Sequence, residues 1–374
     1  MRVGILTFHR AHNCGAMLQN YALQTVLRRL GAEPVTIDFN DVGEERRFSG
    51  LRGLTVKQRI LRIIKFIFSI GFFDLRLYRF NRFRKKNLVT TNWISDGKLP
   101  LDFDRYVLGG DQVLWPGLTK HLTNTFLLDG IANSKRFSYA ASFGYDSLPV
   151  EYRDVYKTQL SRFAAISIRE KSGVGIIKNE LGIDKEVISV LDPTLLLTEE
   201  DFMKIERRQK VPAKYVLVYS IGGADAKLRE VSGAIARLIG ASVVFVNACR
   251  RSYYDTPFGD LLTTSPDRLI YLIHNAAFVV TTSFHGVAFS IIYRRQFIAI
   301  GGTSGRKVMK IPDLLSALGI RERILNDTDS VEHYLEMSRR TIDYDNVYSI
   351  LVALKSESLS FLNKIVGGSS VKEW

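Results

Sequence analysis

Residues 1–39, MRVGILTFHRAHNCGAMLQNYALQTVLRRLGAEPVTIDF, contain a complete strand–loop–helix–strand unit. VGILTF is a short apolar run suited to a buried strand, and the polar FHRAHNCGA breaks it. Leu18, Ala22, Val26 and Leu30 then recur at i+4 spacing, joined by Met17 and Tyr21, which places them on one helical face. Gly31 stops that helix as a glycine just past the last turn commonly does. PVTIDF reads as the next strand. A unit of this size implies parallel pairing with a right-handed crossover.

Working outward, strand-like runs continue in DRYVLGG, KRFSYAAS, AAISIRE and EVISVLD, with VEYRDVYKTQLSRF as a helix among them. After VLDPTLLL comes a polar stretch, TEEDFMKIERRQKVPAK, where a domain boundary is expected. The alternation then restarts. YVLVYSI, SVVFVN, AFVVTTS and QFIAIG are strands, and DAKLREVSGAIARLIG, SPDRLIYLIHN (with Ser265 as its cap), HGVAFSIIYR and IPDLLSALG are helices. The fold class is α/β, with two Rossmann-like domains facing a cleft. Residues 1–198 form the amino-terminal domain, with an insert at 46–86, and 199–335 form the second domain. Residues 336–374 form a helical segment that packs back on the body. Ligands of open α/β sheets bind beyond the carboxyl ends of the strands, so the cleft is the expected site.

A chain of 374 residues is long for a single compact core. With 46% hydrophobic and 24% charged residues it reads as a folded soluble protein. MRVGILTFHR enters a strand directly, so no signal peptide is expected. No window reaches the roughly 18 uncharged apolar residues of a membrane span. Cys14 and Cys249 are far apart and match no ligand pattern, which favours a reducing compartment without a disulfide framework. His9, His12 and Cys14 in HRAHNC fit no standard zinc spacing, and no metal or other cofactor is expected.

TTSFHG, residues 281–286, puts His285 at the carboxyl end of a strand and the start of a helix. A helix start offers free N–H groups and a partial positive charge, which suits an anion. A histidine beside a bound phosphate keeps its proton more easily and can act as a general acid. The plainer reading is a histidine that only caps the helix. GGTSGRK, 301–307, follows the next strand and offers Ser304, Arg306 and Lys307 at the same sheet edge. Its spacing does not match a P-loop. In the amino-terminal half, Asn13, Gly15 and Gln19 face the cleft if the first strand is central, Gly15 permitting close approach. Asp111, Gln112 and Trp115 follow another strand, and acid, amide and aromatic together suit sugar hydroxyls and a ring face. Asp192 and Pro193 are read as shaping a turn.

Taken in order, MRVGILTFHRAHNCGAMLQNYALQ, YVLGGDQVLWP, YAASFG, SIREKSG, VLDPTLLL and TTSFHGVAFSIIYRRQFIAI resemble the polysaccharide pyruvyl transferase family over roughly residues 2–320. The resemblance implies a GT-B-like architecture and transfer of the enolpyruvyl unit of phosphoenolpyruvate to a sugar, usually as a pyruvate ketal. It implies His285 as the acid and Arg169 in SIRE as a contact to phosphate or carboxylate. It also implies a downstream basic residue, for which Arg306 and Lys307 are both candidates. Several members carry an arginine where this chain has Ser283. The donor side is then Arg169, Ser283, His285, Gly286, Ser304, Arg306 and Lys307. The acceptor side is Asn13, Gly15, Gln19, Asp111, Gln112 and Trp115. The chemistry is consistent: a phosphate and a carboxylate on one small frame need two or three cations, and protonation of its methylene carbon opens the adjacent carbon to a hydroxyl.

The net charge is +14, and residues 46–86 hold thirteen Lys or Arg against one acid, Asp74. Cations interleaved with Ile, Leu and Phe in ILRIIKFIFSIGFF favour an interfacial helix on anionic lipid over a nucleic-acid face. The expectation is a cytoplasmic protein, peripheral at the inner face of the plasma membrane. It would act on a polyprenyl-diphosphate-linked oligosaccharide destined for capsule, exopolysaccharide or another surface glycan. No nucleic-acid partner is expected. A glycosyltransferase using a nucleotide sugar and a non-catalytic glycan- or lipid-binding protein are the rival readings.

Overall fold

A computed structural model describes residues 1–39, 75–94, 98–220, 226–247, 264–301 and 310–367. Ser304, Arg306, Lys307 and residues 46–74 of the basic stretch lie outside the described residues.

Two wholly parallel sheets organise the chain. The first has the order β2-β1-β3-β4-β5-β6, from β1 (Arg2–Leu6), β2 (Glu33–Thr36), β3 (Arg105–Gly109), β4 (Arg136–Ala141), β5 (Ala165–Ile168) and β6 (Val187–Ser189). The second has the order β11-β10-β9-β7-β8, from β7 (Tyr215–Ser220), β8 (Ser242–Asn247), β9 (Phe278–Thr281), β10 (Phe297–Gly301) and β11 (Ile324–Asn326). The fold is thus α/β with two Rossmann-like domains. Parallel strands covered on both faces need near-continuous apolar runs, and RVGIL, RFSYAA, YVLVYS and FIAIG supply them.

Helix α1 (Cys14–Arg29) buries Leu18, Ala22, Leu23, Val26 and Leu27. Asn13 caps it by accepting from the backbone N–H groups of Gly15 and Ala16, and Gly31 terminates it at φ +88. Helix α2 covers 75–87 and buries Arg76, Phe80 and Phe83. Helices α3 (Arg153–Leu160) and α4 (Lys171–Gly175) complete the first domain, α4 continuing as a π-helical stretch over Ile176–Glu180. In the second domain α5 (Ala226–Ile239), α6 (Pro266–His274), α7 (Phe284–Ile292), α8 (Lys310–Ala317) and α9 (Val331–Arg339) flank the sheet. Ser265 occupies the cap position of α6, but its hydroxyl donates to the Asp267 carboxylate instead of accepting a backbone N–H, a correction to its expected role.

The boundary expected at 198/199 falls on a one-turn helix, Glu199–Met203, opened by a capping box between Thr198 and Asp201. The segment around it is core to both sheets: Leu195, Leu197 and Phe202 belong to one apolar cluster with Leu18 of α1 and Phe289 of α7. The boundary expected at 335 lies inside α9. Helix α10 (Tyr344–Val366) bridges the two domains. Ser358 Oγ accepts from the Leu191 N–H at 3.0 Å, and Tyr348 OH donates to the Ile292 carbonyl at 2.9 Å. Among the described residues no helix is long and apolar enough to cross a membrane.

Candidate active site

The carboxyl ends of both sheets converge. On the first sheet, the loop after β1 carries Asn13, the loop after β3 carries Asp111, the one after β5 carries Arg169 and Glu170, and the one after β6 carries Asp192. On the second, β9 runs into α7 with His285 as its second residue. These groups meet across the domain junction, in the crevice where open α/β sheets place ligands.

Asp192 is the hub. Its side chain is sealed from solvent. Oδ1 accepts from Thr194 N at 3.0 Å and Thr194 Oγ1 at 2.7 Å, and Oδ2 accepts from Arg169 Nη1 at 2.7 Å. His285 Nε2 lies 3.6 Å from the same Oδ2, beyond ordinary hydrogen-bonding distance. Burial alone would raise the Asp192 carboxyl, but His285, Arg169 and the Thr194 backbone outweigh it and keep the group far below the usual range. The turn-shaping role read from the sequence is present in the Thr194 bonds. The charge role was not read.

Arg169 is buried and stacks its guanidinium over Phe284, 4.5 Å from the ring centroid. Its Nη2 is 3.7 Å from Asp111 Oδ1. Glu170 Oε1 accepts from Ser142 Oγ at 2.9 Å and Gly144 N at 3.0 Å, which ties the YAASFG loop to β5. Lys310, at the head of α8, joins the cluster and was missed from sequence, where IPDLLSALG began one residue too late. Burial and the like charge of Arg169 push its amine down to about 8, while Asp111, Glu170 and Asp192 oppose that fall.

Several buried polar atoms here have no hydrogen-bond partner among the described residues. Among the described residues Arg169 Nε and Nη2, His285 Nε2 and Ser283 Oγ make no hydrogen bond. An unsatisfied buried polar group costs about 1–3 kcal/mol, so four such atoms at one junction make it the candidate ligand site.

The other expected residues are placed as follows. Gly15 meets His285 across the junction: a Cβ on it would lie 2.0 Å from His285 Nδ1. The close approach expected at Gly15 is therefore that of the imidazole. Gly286 has a local role, since a Cβ there would lie 2.2 Å from Thr281 Oγ1. Asn13 spends its side-chain oxygen on the α1 cap. Gln19 is buried and donates to Thr7 Oγ1 at 2.8 Å and to the Ala16 carbonyl at 3.0 Å, with Oε1 unpaired. Gln112 packs beside Gly144, and Trp115 lies with its ring centroid 4.1 Å from that of Tyr145. Of the HRAHNC residues, His9 bonds Asp38 at 2.7 Å, His12 sets its ring edge on Phe80, and Cys14 lies against the Thr264 carbonyl. Among the described residues no group of three or more His, Cys, Asp or Glu is arranged to hold a metal ion.

Gly15→Ala is expected to force the imidazole aside or part the domains. Overpacking of this kind costs typically 1–3 kcal/mol. Turnover should fall at least tenfold, about 1.4 kcal/mol of transition-state stabilisation, and a variant with unchanged kinetics would contradict the ring-on-glycine contact.

A family model described as polysaccharide pyruvyl transferase matches residues 13–304. No curated protein sequence matches the chain. Among solved structures it is similar to the UDP-GlcNAc 2-epimerase of Methanocaldococcus jannaschii, at 11% identity over 92% of this chain and 93% of that one, with TM-score 0.49. It is also similar to the UDP-N-acetylglucosamine 2-epimerase of Rickettsia bellii, at 11% identity over 97% of each chain, with TM-score 0.48. The glycosyltransferase SsfS6 of Streptomyces sp. SF2575 follows at 13% identity over 98% of this chain and 100% of that one, with TM-score 0.46.

Proposed function

Because the chain belongs to the polysaccharide pyruvyl transferase family, we propose that it moves the enolpyruvyl unit of phosphoenolpyruvate onto a saccharide as a pyruvate ketal. The observation that carries this reading is the set of buried, unpaired donors on Arg169, His285 and Ser283 at the domain junction. Phosphoenolpyruvate brings a phosphate and a carboxylate on three carbons, and a guanidinium whose Nε and Nη2 make no hydrogen bond among the described residues is suited to one of them. Lys310 supplies a second cation. Among the described groups, three carboxylates face Arg169, Lys310 and His285. A trianionic donor therefore asks for further positive charge, for which Arg306 and Lys307 remain the candidates.

His285 delivers a proton to the methylene carbon, which makes the neighbouring carbon electrophilic. A saccharide hydroxyl adds there, phosphate departs, and a second hydroxyl of the same sugar closes the ketal. The domain junction excludes water from the cationic carbon, which would otherwise be lost to hydrolysis. The test is phosphate release from phosphoenolpyruvate that depends on an added glycan, together with a glycan product heavier by pyruvate less water. Phosphate release without any glycan product would contradict the reading.

The proposed acceptor is a lipid-linked oligosaccharide at the inner face of the plasma membrane. Supporting this, α2 turns Arg76, Phe80 and Phe83 inward and presents Tyr78, Asn81, Arg82, Lys85 and Lys86 around a surface cavity of about 420 Å³. These residues form an i, i+4 stripe with three cations and no acid. Each Lys or Arg near an anionic leaflet contributes about 1 kcal/mol. Replacing Arg82, Lys85 and Lys86 together by alanine should therefore weaken binding to phosphatidylglycerol vesicles roughly 100-fold, with phosphatidylcholine vesicles as the control. Unchanged binding would contradict the membrane contact.

A further inference from the structure

Resting on the function proposed above and deepening it, we infer that Asp111 is the general base that takes the proton of the attacking saccharide hydroxyl. Three carboxylates stand in the cluster, and two are closed to solvent. Asp192 is fully enclosed, with both oxygens bonded by Thr194 and Arg169. Glu170 is 1% exposed; its Oε1 accepts two hydrogen bonds, and its Oε2, although without a hydrogen bond among the described residues, is closed to solvent. The Asp111 side chain keeps 15% of its surface open, and among the described residues its carboxylate accepts no hydrogen bond. Among the described residues its one close ionic contact is Arg169 Nη2 at 3.7 Å.

Position and backbone agree with this role. Asp111 follows β3 on the first sheet, opposite His285 on the second. A donor held against Arg169 would lie beside Asp111 as well, which puts the carboxylate next to the carbon that a saccharide hydroxyl attacks. Gly110 and Asp111 both adopt left-handed conformations, at φ +61 and +46. Such a conformation costs a non-glycine residue about 1–3 kcal/mol, and strain of this kind gathers at functional sites. It is held by the Gly110 N–H donating to the Tyr139 carbonyl at 3.1 Å and by the Ser142 N–H donating to the Asp111 carbonyl at 3.0 Å. Burial would raise the Asp111 carboxyl, but Lys310 and Arg169 hold it below its ordinary value, so it meets the hydroxyl ionised.

The step balances. His285 gives its proton to the methylene carbon while the first hydroxyl oxygen bonds to the central carbon and its proton passes to Asp111. The carbon–oxygen bond to phosphate breaks, and Asp111 returns its proton to the leaving phosphate. The second hydroxyl then bonds to the same carbon, and its proton restores His285.

Two variants test this, because asparagine and glycine both tolerate the left-handed backbone. Asp111→Asn should lower kcat at least ~100-fold, the usual scale for a positioned base, with phosphoenolpyruvate affinity measured by calorimetry within about threefold of wild type. Asp111→Gly should be equally slow and should regain activity at least tenfold in added formate, which replaces the lost carboxylate. An Asp111→Asn enzyme with more than a third of wild-type kcat would overturn the assignment. So would loss of phosphoenolpyruvate binding in that variant, or absence of formate rescue. Failure of the wild-type enzyme to turn over phosphoenolpyruvate would instead contradict the function proposed above, so the two failures are distinguishable.

Discussion

Replacing His285 by alanine is expected to lower turnover at least ~100-fold, the scale of a positioned general acid, while phosphoenolpyruvate still binds. The ring is 4% exposed, with Nδ1 against the Gly15 backbone and Nε2 open toward the cluster. Nε2 is thus the nitrogen that faces the cluster, 3.6 Å from Asp192 Oδ2, and the one placed to hand a proton to a donor carbon. Turnover within threefold of wild type would remove His285 from the role. His285→Gln, which fills much of the same space, should be as slow as alanine if the proton matters and near normal if only packing matters.

The second large effect is on stability. Asp192→Ala leaves the Arg169 guanidinium buried without the carboxylate that binds it and leaves Thr194 without its acceptor. Breaking a buried pair from one side costs about 3–5 kcal/mol, which urea unfolding would read as a lower midpoint with an unchanged slope. The pH dependence follows from the sign of the shift. The folded-state carboxyl is held below its unfolded value of about 3.9. Its contribution is therefore complete above about pH 4 and is lost as pH falls through the folded value beneath that. The stability gap between wild type and Asp192→Asn should stay constant from pH 7 down to about pH 4 and shrink only below it. A gap that closes between pH 7 and 5 would assign the effect to another group.

Much of the architecture was legible because parallel strands and flanking helices leave period and punctuation in the chain. LQNYALQTVLRRLG carries both an apolar stripe and its stopping glycine, and YVLVYS and FVVT carry the continuous apolar runs of covered strands. His285 was legible for a local reason: a histidine before a glycine at a strand-to-helix corner is placed by its neighbours in sequence. What escaped was non-local. Asp192 reads as a turn former because its Thr194 bonds are two residues away, whereas Arg169 is 23 residues distant and His285 lies on the other sheet. Gly15 announces that something comes close, yet only the folded chain says that it is an imidazole from the second domain. Lys310 sits one residue before the helix that the apolar pattern reveals, and the charges of Arg169 and Asp111 that act on it come from the first domain.

The central claim is that the buried, unpaired donors at the domain junction hold phosphoenolpyruvate. Calorimetric titration of phosphoenolpyruvate into wild type and Arg169→Lys tests it most directly, with a nucleotide sugar as comparison ligand. Lysine keeps a positive charge beside Asp192 and Asp111 but removes Nε and Nη2, the two nitrogens without a hydrogen bond among the described residues, so the fold is spared and the site is not. The account predicts that wild type binds phosphoenolpyruvate in preference to the nucleotide sugar and that Arg169→Lys binds it at least tenfold more weakly. Equal binding by both proteins, or binding of the nucleotide sugar alone, would contradict it.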